Sequence, residues 1–227
     1  MNEIKSTFKL AEADDQCKVI VIRAKGEAFC AGADLGYLQQ LQNNTYEENL
    51  ADSKNLSELF RVIYLSSKVV ISMVNGPALA GGCGLATVCD FCFATPTSTF
   101  GYTEVKIGFV PAIVMVFLVR KFGEQKTKQL LLTGEVIDAN KAFDLGLINY
   151  MVDASMIEEE VQKFAVKLCK QASGQSLKMV KEMLAEVQHL TFDEGLNYAA
   201  EMNANARKTE DCKRGIAAFL NKEKLNW

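Results

Sequence analysis

The stretch from Asn75 to Phe91, NGPALAGGCGLATVCDF, limits what this chain can build more than any other. Glycines at 76, 81, 82 and 84 crowd nine positions, immediately after the apolar run KVVISMVNG (Lys68 to Gly76). Glycine loses more backbone freedom on folding than any other residue. Such a cluster therefore implies a close backbone approach, either to a bound molecule or between a helix and a strand. A second β-branched run, VIVIRAKG (Val19 to Gly26), also ends on glycine and leads into the loop EAFCAGADL. Each run reads as a buried strand. A helix follows each loop. One covers most of Tyr37 to Ser66, with Leu56, Leu59, Phe60, Ile63 and Tyr64 on one face; the other is short, from about Gly82 to Cys89. Strand, loop and helix in alternation predict an α/β core.

The flanking segments extend this picture. Asn2 to Ala13 has the spacing of an amphipathic helix, and FCFAT, from Phe91, is another strand. Beyond Pro111 the pattern is almost entirely helical. Helices are predicted over Ser155–Ala172, Ser176–Val187, Phe192–Ala206 and Thr209–Asn221, with one strand over Leu147–Val152. Asp138 is placed to cap a helix that Gly146 terminates. The expected division is an α/β core over residues 1–152 and a helical region over 153–227.

The longest apolar run, Ile107 to Val119, falls short of the ~20 residues that a membrane span needs, and Pro111 interrupts it. Lys106 and Arg120 bracket it, so it reads as a buried helix and its lead-in. MNEIKSTFKL has no apolar signal segment, and a cytoplasmic location is expected. A net charge of −3 and a single tryptophan argue against a nucleic-acid surface. Seven scattered cysteines suggest reduced thiols. Cys89 and Cys92 form a CxxC without a second pair, and His189 is the only histidine, so buried thiols are expected and no metal.

The two glycine loops are where chemistry would sit. A helix N-terminus offers unpaired N–H groups and a positive dipole end, and glycines give access to them. The alternative is that the glycines serve helix–strand packing alone. A phosphate loop is excluded, because no GxxxxGK[ST] occurs. Gly82 and Gly84 begin a dinucleotide fingerprint, and Glu104 lies where a ribose-binding acid would be sought. Thr87 holds the third position, however, and the connection from Asn75 is too long for a tight strand–helix turn. With one histidine, a Ser–His or Cys–His nucleophile is not expected.

The motifs AFCAGADL, NGPALAGGCGLATVCDFCFAT, FGYTEVKIGFVP and LLLTGEVIDANKAFDLGLINYMV, with the ending EDCKRGIAAFLNKEKLNW, closely resemble the crotonase (enoyl-CoA hydratase/isomerase) superfamily. The resemblance implies an α/β fold, a spiral of ββα units with a helical C-terminal region that forms trimers or dimers of trimers. It implies an acyl-CoA substrate, with coenzyme A belonging to the substrate and no separate cofactor. The family's oxyanion hole maps onto the backbone N–H groups of Ala33 and Gly81. Substrate contacts map onto Ala31, Asp34, Leu35, Gly82 and Pro111, with Asp34 read as a cap of its loop. Glu104, in FGYTEV, corresponds to a catalytic general acid–base.

Three departures accompany the resemblance. Hydratases of the family carry a further glutamate at the position of Gly84, which offers no carboxylate. A lone Glu104 suits double-bond isomerisation through a dienolate. TEVKIGFVP instead resembles hydratases of methylglutaconyl-type substrates, in which case Tyr102 or an acid of another loop would orient water. A catalytically silent acyl-CoA-binding or partner protein is the alternative. Second, Ala112-Ile-Val-Met-Val116 replaces the family's glycine cluster, reshaping the acyl site or only filling the core. Third, the chain begins at the helix that follows the family's opening β-hairpin, a feature that would leave a sheet edge unpaired.

Overall fold

The computed structural model describes residues 1–227 apart from the side chain of Leu35. Its centre is β2 (Val69–Val74), buried at all six positions. Val, Val and Ile are stiff at χ1 and suit a pleated surface packed on both sides. β2 pairs in parallel with β1 (Val19–Arg23) and with β4 (Phe91–Ala94), and β4 pairs in parallel with the two-residue β7 (Tyr150–Met151). The sheet order is β1-β2-β4-β7.

Side chains of β2 alternate between two apolar layers. Val70 and Val74 join Phe8, Phe60, Ile63 and Leu118 on one face. Val69, Ile71 and Met73 join Phe93, Ile157, Val161 and Ala165 on the other. The first layer is closed by α1 (Asn2–Ala13), α3 (Tyr46–Leu65), α4 (Gly81–Val88) and α5 (Ala112–Thr133). The second is closed by α7 (Ile157–Gln171). Thr45 and Glu48 form a capping box at the start of α3, an arrangement that stabilises a helix by about 1 kcal/mol.

A second sheet, of order β3-β5-β6, is built from Pro77–Leu79, Thr99–Gly101 and Val136–Asp138. These three strands are absent from the sequence reading, because three residues are too few to display a period of two. β3 occupies the long connection between β2 and α4. A parallel bridge from Cys30 to Ala78 draws the loop after β1 alongside it.

Two expectations are corrected. Val19–Arg23 is not a buried strand: it lies at the sheet edge with β2 its only partner, and Val21 is exposed. The apolar run from Ile107 to Val119 is not buried as a unit. α5 packs through Val114 and Leu118, one turn apart, and leaves Met115, Val116 and Val119 outward, while Ile107, Phe109 and Val110 of its lead-in are also exposed. Helix α5 is also broken at Gly123, whose φ of 76° is non-helical.

The helices α8 (Gly174–Glu186), α9 (Phe192–Ala206) and α10 (Glu210–Leu220) complete the chain close to the expected bounds. Asp138 caps α6 (Ala139–Asp144) by accepting from the Lys141 N–H, and Gly146 follows it at φ 77°. Cys83, Cys89 and Cys92 are buried free thiols, and burial raises them to about 12, 12 and 11. Among the described residues no helix is long and apolar enough to cross a membrane.

Candidate active site

The two glycine loops meet at the N-terminus of α4. The Leu79 N–H donates to the Cys30 carbonyl at 2.9 Å, and the Phe29 and Cys30 N–H groups both donate to the Pro77 carbonyl. Gly32, at φ 98°, brings its loop against Ala80, so close that a Cβ there would lie 3.1 Å from that of Ala80. Ala80 has φ 50° and ψ −128°, a strained conformation for a residue with a Cβ, and its N–H donates to the Gly101 carbonyl at 2.7 Å. This kink opens α4. Gly81, the first helical residue, has an N–H with no possible intrahelical acceptor.

The glycines of the cluster divide into two kinds. A Cβ at Gly76 would lie 1.9 Å from the Glu27 carbonyl oxygen, one at Gly82 would lie 2.1 Å from the Cys30 carbonyl oxygen, and one at Gly84 would lie 2.4 Å from Val114 Cγ1. Those three are packing glycines. At Gly81 a Cβ would meet nothing within 4 Å. Open space borders Gly81, whose N–H has no intrahelical partner.

Glu104 begins a 3₁₀ turn (Glu104–Ile107) directly after β5. Its backbone carbonyl accepts the Phe109 N–H at 3.0 Å, which fixes the turn. The side chain is different. Glu104 is 9% exposed, and its Oε2 is buried without a hydrogen-bond partner. Desolvation raises its pKa above the ordinary carboxylate value. Cys83 of α4 and Tyr102 are raised chiefly by burial, with a smaller contribution from the Glu104 charge. A buried carboxylate oxygen without a partner is rare, and a raised pKa in such a position marks a candidate proton carrier.

The remaining sequence candidates fall around these groups. Ala33 and Ala31 are exposed on the loop that passes β3, and Asp34 caps α2 (Leu35–Leu41) by accepting the Tyr37 N–H at 3.2 Å. Gly82 is buried against Cys30, and Pro111 caps the N-terminus of α5. The side chain of Leu35 lies outside the described residues. His189 is exposed beside Arg120. Tyr102 is completely buried, its hydroxyl 2.8 Å from Thr87 Oγ1, so it has no hydroxyl left to present to a water molecule. Of the bulky stretch 112–116, Val114 is buried against Gly84 while Met115 and Val116 are exposed; sequence reasoning singled out the stretch but not this contact, which spans thirty positions and has no local signal.

The whole chain, residues 1–227, matches the family described as enoyl-CoA hydratase/isomerase. The chain belongs to the enoyl-CoA hydratase/isomerase family. A Thermus thermophilus protein named "Putative enoyl-CoA hydratase" is 42% identical over 93% of this chain and 83% of its own length. The crotonyl-CoA hydratase of Syntrophomonas wolfei is 34% identical over 99% of this chain and 86% of its own. A crystal structure of an enoyl-CoA hydratase from Shewanella pealeana superposes with a TM-score of 0.93 at 29% identity, covering 100% of this chain and 84% of that one. Members of this enoyl-CoA hydratase/isomerase family are enzymes, and the α/β architecture with its helical C-terminal region matches that crystal structure.

Proposed function

We propose that this member of the family acts on an acyl-CoA thioester by moving a double bond, with Glu104 as the only acid–base. The carrying observations are the buried, unpartnered Glu104 Oε2 and the open space at Gly81, on two segments joined by the hydrogen bond from the Ala80 N–H to the Gly101 carbonyl. In the proposed reaction the Glu104 carboxylate removes a proton from C2 of a 3-enoyl thioester. The electron pair moves onto the thioester oxygen, giving a dienolate, and that oxygen accepts the N–H groups of Ala33 and Gly81. Such donors are each worth about 10²–10³ in rate. Protonated Glu104 then returns its proton to C4, leaving the double bond between C2 and C3. Ala31, Asp34, Leu35, Gly82 and Pro111 are assigned to the substrate site on the family resemblance.

Water addition is the second reading, because the relatives are named hydratases. Two observations weigh against it. Position 84 has no carboxylate, and Val114 and Phe60 fill the space into which a side chain from 84 would grow. Neither Gly84 nor Tyr102 offers a second group to hold water. A catalytically silent acyl-CoA-binding protein is the third reading, and it leaves the buried acid without a purpose.

A paired assay separates the readings. Purified protein is given a 3-enoyl-CoA and examined for double-bond movement, and a 2-enoyl-CoA, including a methylglutaconyl-type one, and examined for hydration. Isomerisation without hydration is expected. Glu104→Gln is expected to lower turnover by about 10²–10⁴-fold while acyl-CoA binding stays within a few-fold. Hydration by the native protein, or full activity of the variant, overturns the single-acid mechanism.

A further inference from the structure

Between the two parts of the site runs a buried polar contact that the proposed chemistry does not use. Tyr102 is 0% exposed and is the largest fully buried side chain among the described residues. It lies two residues before Glu104, and its hydroxyl meets Thr87 Oγ1 at 2.8 Å. Thr87 Oγ1 donates its own hydrogen to the Cys83 carbonyl at 2.9 Å, which makes Tyr102 the donor. Burial pushes the phenol well up, so it keeps its proton throughout the neutral range.

The segment that carries Glu104 is thus tied to α4 at two heights. At the N-terminus the Ala80 N–H donates to the Gly101 carbonyl; nearly two helical turns further on, Tyr102 donates to Thr87. One bond fixes a point, and two fix the direction of the strand along the helix. The separation between Gly81, at the start of α4, and Glu104, just past β5, follows from that direction. Tyr102 touches neither the open space at Gly81 nor the solvent.

From this we infer that Tyr102, through Thr87, is a positioning residue that sets the Glu104 carboxyl against the N-terminus of α4. The inference rests on the role proposed above for Glu104. Its consequence is quantitative: a proton carrier displaced by a fraction of an ångström to an ångström loses about tenfold to a hundredfold in rate while substrate affinity is kept.

The test is a double-mutant cycle with Tyr102→Phe and Thr87→Val, together with Thr87→Ser, measured on the full chain. Expected is a drop in kcat of about tenfold or more for each of the first two at a KM within twofold. The double variant should be no worse than either, and Thr87→Ser, which retains the hydroxyl, should match the native rate. Melting temperatures that fall while kcat stays within twofold would reduce Tyr102 to a core residue and overturn the inference. Should Tyr102→Phe fail to fold, Thr87→Val against Thr87→Ser decides. If the native protein turns over no enoyl-CoA, the proposed function fails first. The positioning is then read from the Glu104 carboxyl by ¹³C NMR, with Glu104→Gln assigning the signal. A titration midpoint moved by Tyr102→Phe supports it, and coincident curves overturn it.

Discussion

Glu104 carries one carboxyl oxygen, Oε2, into a place where no partner meets it. Its pKa is raised by desolvation, so the native chain holds this proton more tightly than the unfolded chain does. Stability contributed by this group is therefore lost as pH rises from its ordinary value of 4.5 through the raised native value. Above that window the folded protein bears a desolvated charge whose Oε2 has no partner. Glu104→Gln removes the charge and keeps the shape. The variant is expected to be more stable than the native protein at pH 7, with the difference vanishing below about pH 4. Urea unfolding of both proteins at a series of pH values reads this directly, and parallel curves would mean that the carboxyl is solvated. The identity of Glu104 was legible in the sequence through its motif. The lack of a partner at its Oε2 was not, because that depends on what the residues folded around it fail to supply.

Helix α4 is eight residues long and does two jobs with its glycines. Gly82 and Gly84 let it approach the Cys30 backbone and Val114, while Gly81 keeps open space before a free N–H. Its far end is held by Lys121, whose ammonium donates to the carbonyls of Thr87 and Cys89, and burial lowers the pKa of that ammonium. Single substitutions should pull the two jobs apart. Gly82→Ala forces a Cβ into a backbone carbonyl and is expected to cost about 3 kcal/mol or more. Gly81→Ala is expected to fold with a stability within about 1 kcal/mol of the native protein, since a helical alanine there meets no atom. It should nevertheless lose turnover, because the methyl group enters the space assigned to the thioester. Full activity of Gly81→Ala in the paired assay would remove the carbonyl from that position. The sequence supplied the glycine cluster and both readings of it; which glycine serves which end is decided by neighbours far along the chain.

The molecule as a whole leaves large apolar side chains uncovered. Helices α8 and α9 have no fully buried residue; Phe192 and Phe219 are 81% and 83% exposed; and Met115, Val116 and Val119 face outward on α5. Exposure of so many large apolar side chains on the helical part suits an association surface. Assembly into a trimer, or a pair of trimers, is the expected state, and sedimentation equilibrium should give three or six times the 25.1 kDa chain mass. Phe219→Glu should shift that distribution towards monomer. A native monomer at every concentration would assign these faces to some other partner. Helix periodicity made α8, α9 and α10 legible to within a few residues. It also made the run from Ile107 to Val119 look like interior, because apolarity reports that a surface will be covered and not by what.

The local code was enough for the long elements. β2 is a strand because five apolar residues of six, with the Ser72 hydroxyl bonded to the Ala86 carbonyl, suit a surface packed on both faces. α3 starts where Thr45 and Glu48 can cap it, and α6 starts where Asp138 can. The order of four motifs was enough for the family. Tertiary structure alone decided the three-residue strands, which exist only because a neighbour completes their hydrogen bonds. It also decided the pairing of Tyr102 with Thr87, the closure of Gly84 by Val114, and the isolation of Glu104. Each of these is a contact, or a missing contact, between residues whose separation in sequence has no period, and only the folded chain brings them to one place.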